Sequence, residues 1–227
     1  MIPLKDNIPT KRFPIITVFL IIANSVAFFY QLTLGLEKGV ELIRFYGLVP
    51  FELTRVSPYP LSMTLITSMF LHGGFFHIIG NMLYLWIFGN NVEDSMGRFR
   101  FLGFYLLSGV VAGLTQTYAN PDSRVPMIGA SGAVSGVLGA YLVLYPHARV
   151  ITLVTFGWFI RLIEIPALVV LGFWAIVQFL NGVLTLGVGS GVAWFAHIGG
   201  FISGALFIFV FKRPEVRIGL RRRRFYG

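Results

Sequence analysis

Long stretches without a charged residue limit the fold of this 227-residue chain more than any other feature. No Asp, Glu, Lys or Arg occurs in 13–36, 56–92, 101–121, 125–147 or 165–211. A helix that crosses a bilayer needs about 20 apolar residues. Only 12% of the residues are charged, about half the ~25% of a soluble domain. The sequence therefore predicts a polytopic membrane protein.

The charge-free stretches predict an all-α fold, a bundle of six transmembrane helices. The expected spans are 13–32, 75–90, 101–118, 130–146, 165–181 and 192–211. A glycine-rich break at 187–191 separates the last two spans. The connection at about 37–71 mixes charged and aromatic residues. We expect it to be an interfacial, structured first outer loop with a membrane-associated piece near 61–71.

The placement of positive charge predicts the orientation of the bundle. With the N-terminus inside, the cytoplasmic segments hold 14 of the 18 Lys and Arg residues, in line with the positive-inside rule. We expect a cytoplasmic N-terminal segment (1–12), a membrane domain (13–211) and a basic cytoplasmic tail (212–227). The small size and the lack of a transit peptide favour a prokaryotic plasma membrane.

The net charge of +9 also raises the question of a nucleic-acid partner. The tail holds seven of the basic residues, including the run Arg221–Arg224 just beyond an apolar stretch. Such a cluster is typical of a segment that faces anionic lipid. We therefore expect lipid at the tail, and no nucleic acid.

Few polar residues lie inside the expected spans, and they converge at one depth. The second, fourth and sixth spans run from outside to inside, and His77, Asn81, Ser131 and His197 lie near their starts. Ionisable groups inside a bilayer are costly and usually functional. The chain has no cysteine, which excludes thiol nucleophiles. The sequence therefore predicts a functional site near the outer surface.

Ser131 stands in the tetrapeptide Gly129-Ala130-Ser131-Gly132, at the expected start of the fourth span. Unpaired N–H groups at a helix N-terminus can stabilise the oxyanion that forms when a serine attacks a carbonyl. Taken alone, the tetrapeptide is more typical of a helix cap. Ser135, one turn deeper, is a competing nucleophile whose expected role is packing or a backbone hydrogen bond.

Small residues predict that the fourth and sixth spans pack closely. They form two stripes with a spacing of four: Gly132, Gly136 and Ala140, and Ala196, Gly200 and Gly204. Ser131 and His197 each adjoin a stripe, so close packing would bring the hydroxyl near the imidazole. The imidazole could then act as a general base. No carboxylate lies at that depth, so we expect a Ser–His dyad instead of a triad.

His77 and Asn81 are spaced i, i+4 and share one helical face. Two donors at this depth suit an oxyanion hole; the alternative is an Asn–His hydrogen bond that only joins helices. His72, His77 and His197 could instead bind zinc. No carboxylate is available to support a metal-bound histidine, so no metal or cofactor is expected.

The motifs around His77 and Asn81, Ser131 and His197 occur in the same order, and on the same spans, as in the rhomboid intramembrane serine proteases. The chain resembles this family over nearly its whole length. Alongside those above, Gly89-x-x-Val92-Glu93-x-x-x-Gly97 is similar to a cytoplasmic turn of the family. The resemblance implies Ser131 as nucleophile, His197 as general base, and an oxyanion hole formed by His77, Asn81 and the Ser131 N–H. It implies a structural role for His72. It further implies cleavage of membrane-anchored proteins near the outer end of a transmembrane segment.

The chain departs from many relatives at Ser135, where they carry an aromatic residue that packs on the catalytic histidine. What holds the His197 ring is therefore open. Two other functions also stay open. One is a non-catalytic scaffold or chaperone that binds client transmembrane helices on the same fold. The other is a small transporter that uses the polar cluster as its binding site, although no inverted repeat is visible.

Overall fold

A computed structural model describes residues 1–56, 62–156, 158–185 and 191–219 of the chain. Three expectations fall wholly or partly outside the described residues: the start of the membrane-associated piece, most of the glycine-rich break, and the arginine run of the tail. Helices dominate the described part, as expected for a membrane bundle.

The helices follow the charge-free stretches of the sequence. In chain order they are α1 (Ile15–Thr33), α2 (Gly35–Tyr46), α3 (Ser62–Thr67), α4 (Phe75–Tyr84), α5 (Asn90–Met96), α6 (Arg98–Ala119), α7 (Ser131–Leu144), α8 (Ala167–Leu184) and α9 (Trp194–Phe211). A π-helical turn at Leu85–Gly89 joins α4 to α5. A second π-helical turn at Glu52–Val56 and a 3₁₀ turn at Ser68–Phe70 lie on either side of α3.

Among the described residues, four helices are long and apolar enough to cross a membrane: α1, α6, α8 and α9. The segments Met63–Phe70 and Phe75–Met96 pass the same test only together, with a bend of 98° between them. α7 is apolar but has only 14 residues. The molecule is thus a helical membrane protein with four or five candidate spans, and six spans stay a prediction.

α7 is buried along most of its length, as expected of a helix without a polar face. A Cβ added at Gly200 of α9 would overlap the carbonyl oxygen of Gly132, and one added at Gly204 would overlap that of Gly136. The backbones of α7 and α9 are therefore in direct contact, which confirms the packing predicted from the small-residue stripes. This contact fixes the start of α9 against the start of α7.

A three-stranded antiparallel sheet shows that the all-α expectation was wrong. Strands β1 (Ile2–Asp6), β2 (Arg149–Phe156) and β3 (Phe159–Pro166) pair in that order. The stretch 149–166 is rich in Ile, Val, Thr and Phe, which favour extended structure. Counting charges marks this stretch as a connection between spans, but it does not detect the β-branched side chains.

The connection between α1 and α4 contains α2 and α3, so its described part is structured. α2 has no buried residue, and it exposes Leu36 and Phe45 at 89% and 73%. Large apolar side chains exposed in this way suit a lipid boundary. Its position at the membrane interface stays a prediction.

Candidate active site

Ser131 is the first residue of α7, where the helix has unpaired N–H groups. Gly129, two residues earlier, has a φ of +120°, which residues with a side chain rarely adopt. The N–H of Gly129 donates to the carbonyl of Ser68 over 2.8 Å. A Cβ at Gly129 would lie 2.6 Å from the His77 ring. Glycine at this position therefore lets the chain before Ser131 pass directly beside His77.

The His197 imidazole is hydrogen-bonded at both ring nitrogens. Its Nε2 lies 2.9 Å from Oγ of Ser131. Its Nδ1 lies 2.7 Å from Oε1 of Gln178, on α8. The hydroxyl and the imidazole that the sequence brings together are thus within hydrogen-bonding distance. At this separation a proton can pass directly between the hydroxyl and a neutral ring.

Gln116, on α6, fixes the start of α9 just before His197. Its Oε1 accepts hydrogen bonds from the N–H groups of Phe195 and Ala196, over 3.1 and 3.3 Å. Both donors belong to the first turn of the helix, where N–H groups lack the usual partner four residues earlier in the helix; the N–H of Ala196 also lies 3.1 Å from the carbonyl of Ala193. Gln116 therefore caps α9 from a neighbouring helix.

His77 and Asn81 lie one turn apart on α4 and line the same cavity as Ser131. The N–H of Gly73 donates to Nδ1 of His77 over 3.3 Å, so a neutral ring carries its proton on Nε2. Nδ2 of Asn81 is buried and has no hydrogen-bond partner among the described residues. The site therefore offers two N–H donors to a ligand.

One cavity of about 580 Å³ joins Ser131, His197, His77 and Asn81. This volume falls within the ~300–1,000 Å³ of typical ligand sites. None of its described lining residues is Asp, Glu, Lys or Arg. The described lining residues do include neutral hydrogen-bond donors, and such donors stabilise a developing negative charge better in apolar surroundings than in water.

Ser135 and His72 lie close to this site but take part in packing. Oγ of Ser135 donates to the carbonyl of Ser131 over 2.6 Å, which confirms the predicted backbone hydrogen bond. The backbone of His72 makes two hydrogen bonds with the Gln31 side chain of α1. Its ring is 2% exposed and packs edge-on against His77, 5.1 Å between ring centres.

The zinc alternative requires three histidines to converge on one point. Within the described part of the chain, no three His, Cys, Asp or Glu side chains are grouped to hold a metal ion. His197 also uses both ring nitrogens in hydrogen bonds to Ser131 and Gln178. The geometry therefore gives this alternative no support.

The side chains that surround the His197 ring were not among the predicted site residues. Besides Gln178, the indole of Trp174 lies on α8, with its ring centre 6.0 Å from that of His197. Trp194 of α9 lies edge-on to His197 at 6.1 Å. A glutamine inside a charge-free span was the available signal, because a side-chain amide in a membrane needs a hydrogen-bond partner.

Comparison with known proteins gives a consistent result. The family model described as "Rhomboid domain" matches residues 61–214. The chain is 32% identical over 64% of its length to "Rhomboid protein 1, mitochondrial" of Saccharomyces cerevisiae. It is 30% identical over 89% of its length to "RHOMBOID-like protein 1" of Arabidopsis thaliana.

A bacterial protein is similar as well. The chain is 32% identical over 82% of its length to "Rhomboid protease GluP" of Bacillus subtilis. The matched parts make up 40%, 55% and 33% of the yeast, plant and bacterial proteins. The chain thus spans about a third to just over half of the length of these relatives.

Proposed function

The chain belongs to the rhomboid family, and on that premise we propose that it is an intramembrane serine protease. It hydrolyses peptide bonds in or near the transmembrane segments of membrane-anchored proteins. The observation that carries the proposal is the distance of 2.9 Å between Ser131 Oγ and His197 Nε2. Two relatives whose names call them proteases, from Bacillus subtilis and Toxoplasma gondii, support it.

Ser131 is the proposed nucleophile and His197 the proposed general base. Nε2 of His197 takes the Ser131 proton while Oγ attacks the carbonyl carbon of the scissile bond. The imidazolium then gives this proton to the leaving amine as the C–N bond breaks, which leaves an acyl-enzyme. Water, deprotonated by His197, attacks the ester, and the proton returns to Oγ as the carboxylic product leaves.

The tetrahedral intermediate carries its negative charge on the former carbonyl oxygen. We assign its stabilisation to Nε2–H of His77, Nδ2–H of Asn81 and the backbone N–H of Ser131. The hydrogen bond from Gly73 to Nδ1 of His77 supports this, because it leaves the ring proton on Nε2. The unpartnered Nδ2 of Asn81 supports it too. Donors whose positions are fixed before the reaction stabilise such a charge more strongly than water does.

The proposed topology has six spans, counting the bent pair as one and α7 as another. Both termini face the cytoplasm of a prokaryotic cell, and the site lies towards the outer side of the plasma membrane. The basic tail contacts anionic lipid.

The chain has no cysteine, so single introduced cysteines can report which side of the membrane a residue faces. An impermeant maleimide should label Asp122→Cys but not Thr10→Cys in intact cells; the reverse would invert the topology.

The activity is tested with purified protein in liposomes and a single-span substrate, with cleavage read from a gel. We expect cleavage by the wild type and by Ser135→Ala, and none by Ser131→Ala or His197→Ala. Ser135→Ala is the matched control, since it removes a hydroxyl one turn away. Cleavage by Ser131→Ala would overturn the assignment of the nucleophile.

A fluorophosphonate probe on the same samples separates the protease from the scaffold. Such probes react with an activated serine whatever the natural substrate is. Labelling of the wild type that is lost in Ser131→Ala supports an enzyme. A wild type that neither cleaves nor reacts would favour the non-catalytic scaffold.

A further inference from the structure

The ring nitrogen of His197 that points away from Ser131 has a partner on another helix. Nδ1 of His197 lies 2.7 Å from Oε1 of Gln178, while Nε2 faces Ser131 Oγ. A neutral imidazole has one N–H donor and one acceptor nitrogen, and an amide oxygen only accepts. The proton therefore resides on Nδ1, and Nε2 presents a lone pair to the hydroxyl. This is the tautomer that a general base at Nε2 requires.

Gln178 is placed to hold this hydrogen bond against competition from water. It lies on α8 and is 7% exposed. The neighbouring polar residue of α8, Asn181, instead donates to the carbonyl of Val177 in its own helix, over 2.8 Å. Of these two amides, only Gln178 reaches across to α9. A buried amide between helices forms a hydrogen bond that lipid cannot replace.

The His197 ring has two aromatic neighbours, one on α8 and one on its own helix, α9. Trp174, one turn before Gln178, lies 6.0 Å from the imidazole, and Trp194 lies edge-on at 6.1 Å. Ser135, which replaces the aromatic residue of many relatives, uses its hydroxyl on the carbonyl of Ser131. The ring is therefore positioned largely by α8, through one hydrogen bond and one indole.

We infer that Gln178 is the positioning residue for His197, so that Ser131, His197 and Gln178 act as a neutral analogue of a Ser–His–Asp triad. The inference rests on the proposed protease function. The amide oxygen selects the tautomer and the ring orientation, as the triad carboxylate does. Because the amide is neutral, it adds no charge that would stabilise the imidazolium.

Three variants test this role. Gln178→Met keeps a similar length but removes the acceptor, and Gln178→Glu keeps the acceptor and adds a charge. Asn181→Leu is the matched control, because among the described residues the Asn181 amide bonds within its own helix, to the carbonyl of Val177. We expect Gln178→Met to lower kcat roughly tenfold to hundredfold with KM within about twofold. This is less than the ~10⁴-fold loss when a triad histidine is held in the wrong tautomer.

Gln178→Glu distinguishes positioning from mere packing. We expect it to retain activity at neutral pH, and to move the acid limb of the rate profile to higher pH, because a carboxylate beside the ring favours the imidazolium. Asn181→Leu should match the wild type in both respects. Equal losses in the Met and Glu variants, or a wild-type kcat in Gln178→Met, would overturn the inference.

A second readout does not require turnover. The chain has four histidines, so ¹⁵N-histidine labelling gives a spectrum in which the His197 ring can be assigned by its loss in His197→Asn. We expect a protonated Nδ1 and an unprotonated Nε2 in the wild type, and a mixture of tautomers in Gln178→Met. If the wild type has this tautomer but does not cleave the substrate, the proposed protease function is refuted, while the positioning of His197 by Gln178 still holds. A tautomer unchanged in Gln178→Met would refute the positioning even if the protein cleaves its substrate.

Discussion

The carboxylate of Glu93, on α5, caps the first turn of α1 at Thr17. It accepts hydrogen bonds from the backbone N–H and the hydroxyl of Thr17, both over 2.8 Å, and from the N–H of Ile16 over 3.0 Å. Pro14, which precedes α1, makes no side-chain capping hydrogen bond. A negative charge at a helix N-terminus also interacts favourably with the helix dipole. Glu93 thus joins the end of the bent helix pair to the start of the first span.

Replacing Glu93 should therefore destabilise the protein without touching the candidate site. In Glu93→Ala, the buried donors of Thr17 and the partly buried N–H of Ile16 lose their acceptor, which costs about 1–3 kcal/mol. Unfolding by SDS in mixed micelles measures this loss. Asp94→Ala is the control, because Asp94 accepts one exposed hydrogen bond, from Lys11. A similar loss of stability in both variants would show that the Glu93 cap contributes no more than the exposed hydrogen bond of Asp94.

The contact between α7 and α9 should not tolerate even one methyl group at Gly204. A Cβ there overlaps the carbonyl oxygen of Gly136, so Gly204→Ala must separate two backbones. Overpacking of this kind costs about 1–3 kcal/mol, and separating the helices moves His197 away from Ser131. We expect lower stability and at least a tenfold loss of cleavage.

Gly172→Ala supplies the matched control for the glycine variant. Gly172 lies within α8, and nothing lies within 4 Å of a Cβ added there. Alanine is the better helix former by about 1 kcal/mol, so this variant should be as stable as the wild type or more so. Equal stability and equal cleavage by Gly204→Ala and Gly172→Ala would contradict the close backbone contact between α7 and α9.

The candidate site could be predicted from the sequence because its polar residues lie in otherwise apolar spans. Ser131, His77, Asn81 and His197 are polar groups in apolar spans, and the direction of each span gives their depth. Small-residue stripes then identify the two helices that touch. Gln178 shows the same contrast, but an amide does not titrate and is easily overlooked in a search for acids and bases.

The features that the sequence did not reveal depend on pairings between distant segments. Glu93 and Ile16 are separated by 77 positions, and neither residue alone indicates its partner. β1 pairs with β2, more than 140 residues further along the chain. A strand that is completed only by a distant segment gives a weak local signal, and the charge pattern of 149–166 is typical of a loop.

Removing the amide of Asn81 should reduce activity without reducing stability. Nδ2 of Asn81 has no hydrogen-bond partner among the described residues, so its loss leaves no other group unsatisfied there. If it binds the oxyanion, Asn81→Ala should lower kcat by about 10²–10³. Cleavage rates measure the expected loss of activity, and SDS unfolding of the same samples measures the expected unchanged stability. A loss of stability with unchanged kcat would identify Asn81 as a structural residue.

Asp6 of β1 should make the stability of the protein depend on pH. Its carboxylate is 7% exposed and accepts hydrogen bonds from the hydroxyl of Tyr141 and from Nδ2 of Asn91. Burial raises the pKa of Asp6 from 3.8 to about 6, against the opposing effect of the Tyr141 hydrogen bond. Because this pKa is higher in the folded protein than in the unfolded chain, the folded state binds the proton more tightly. The resulting stabilisation is complete below pH 3.8 and is lost as the pH rises through about 6.

Asp6→Asn should remove this dependence, since an amide does not titrate. We expect the difference in unfolding midpoint between wild type and Asp6→Asn to change steadily between pH 4 and about 6, and to level off above that range. Asp122→Asn is the control, because it replaces a carboxyl that is 76% exposed and pairs with Arg55 at the surface, instead of a buried one. A difference between wild type and Asp6→Asn that stays constant across the whole range would mean that Asp6 titrates alike in the folded and unfolded chains.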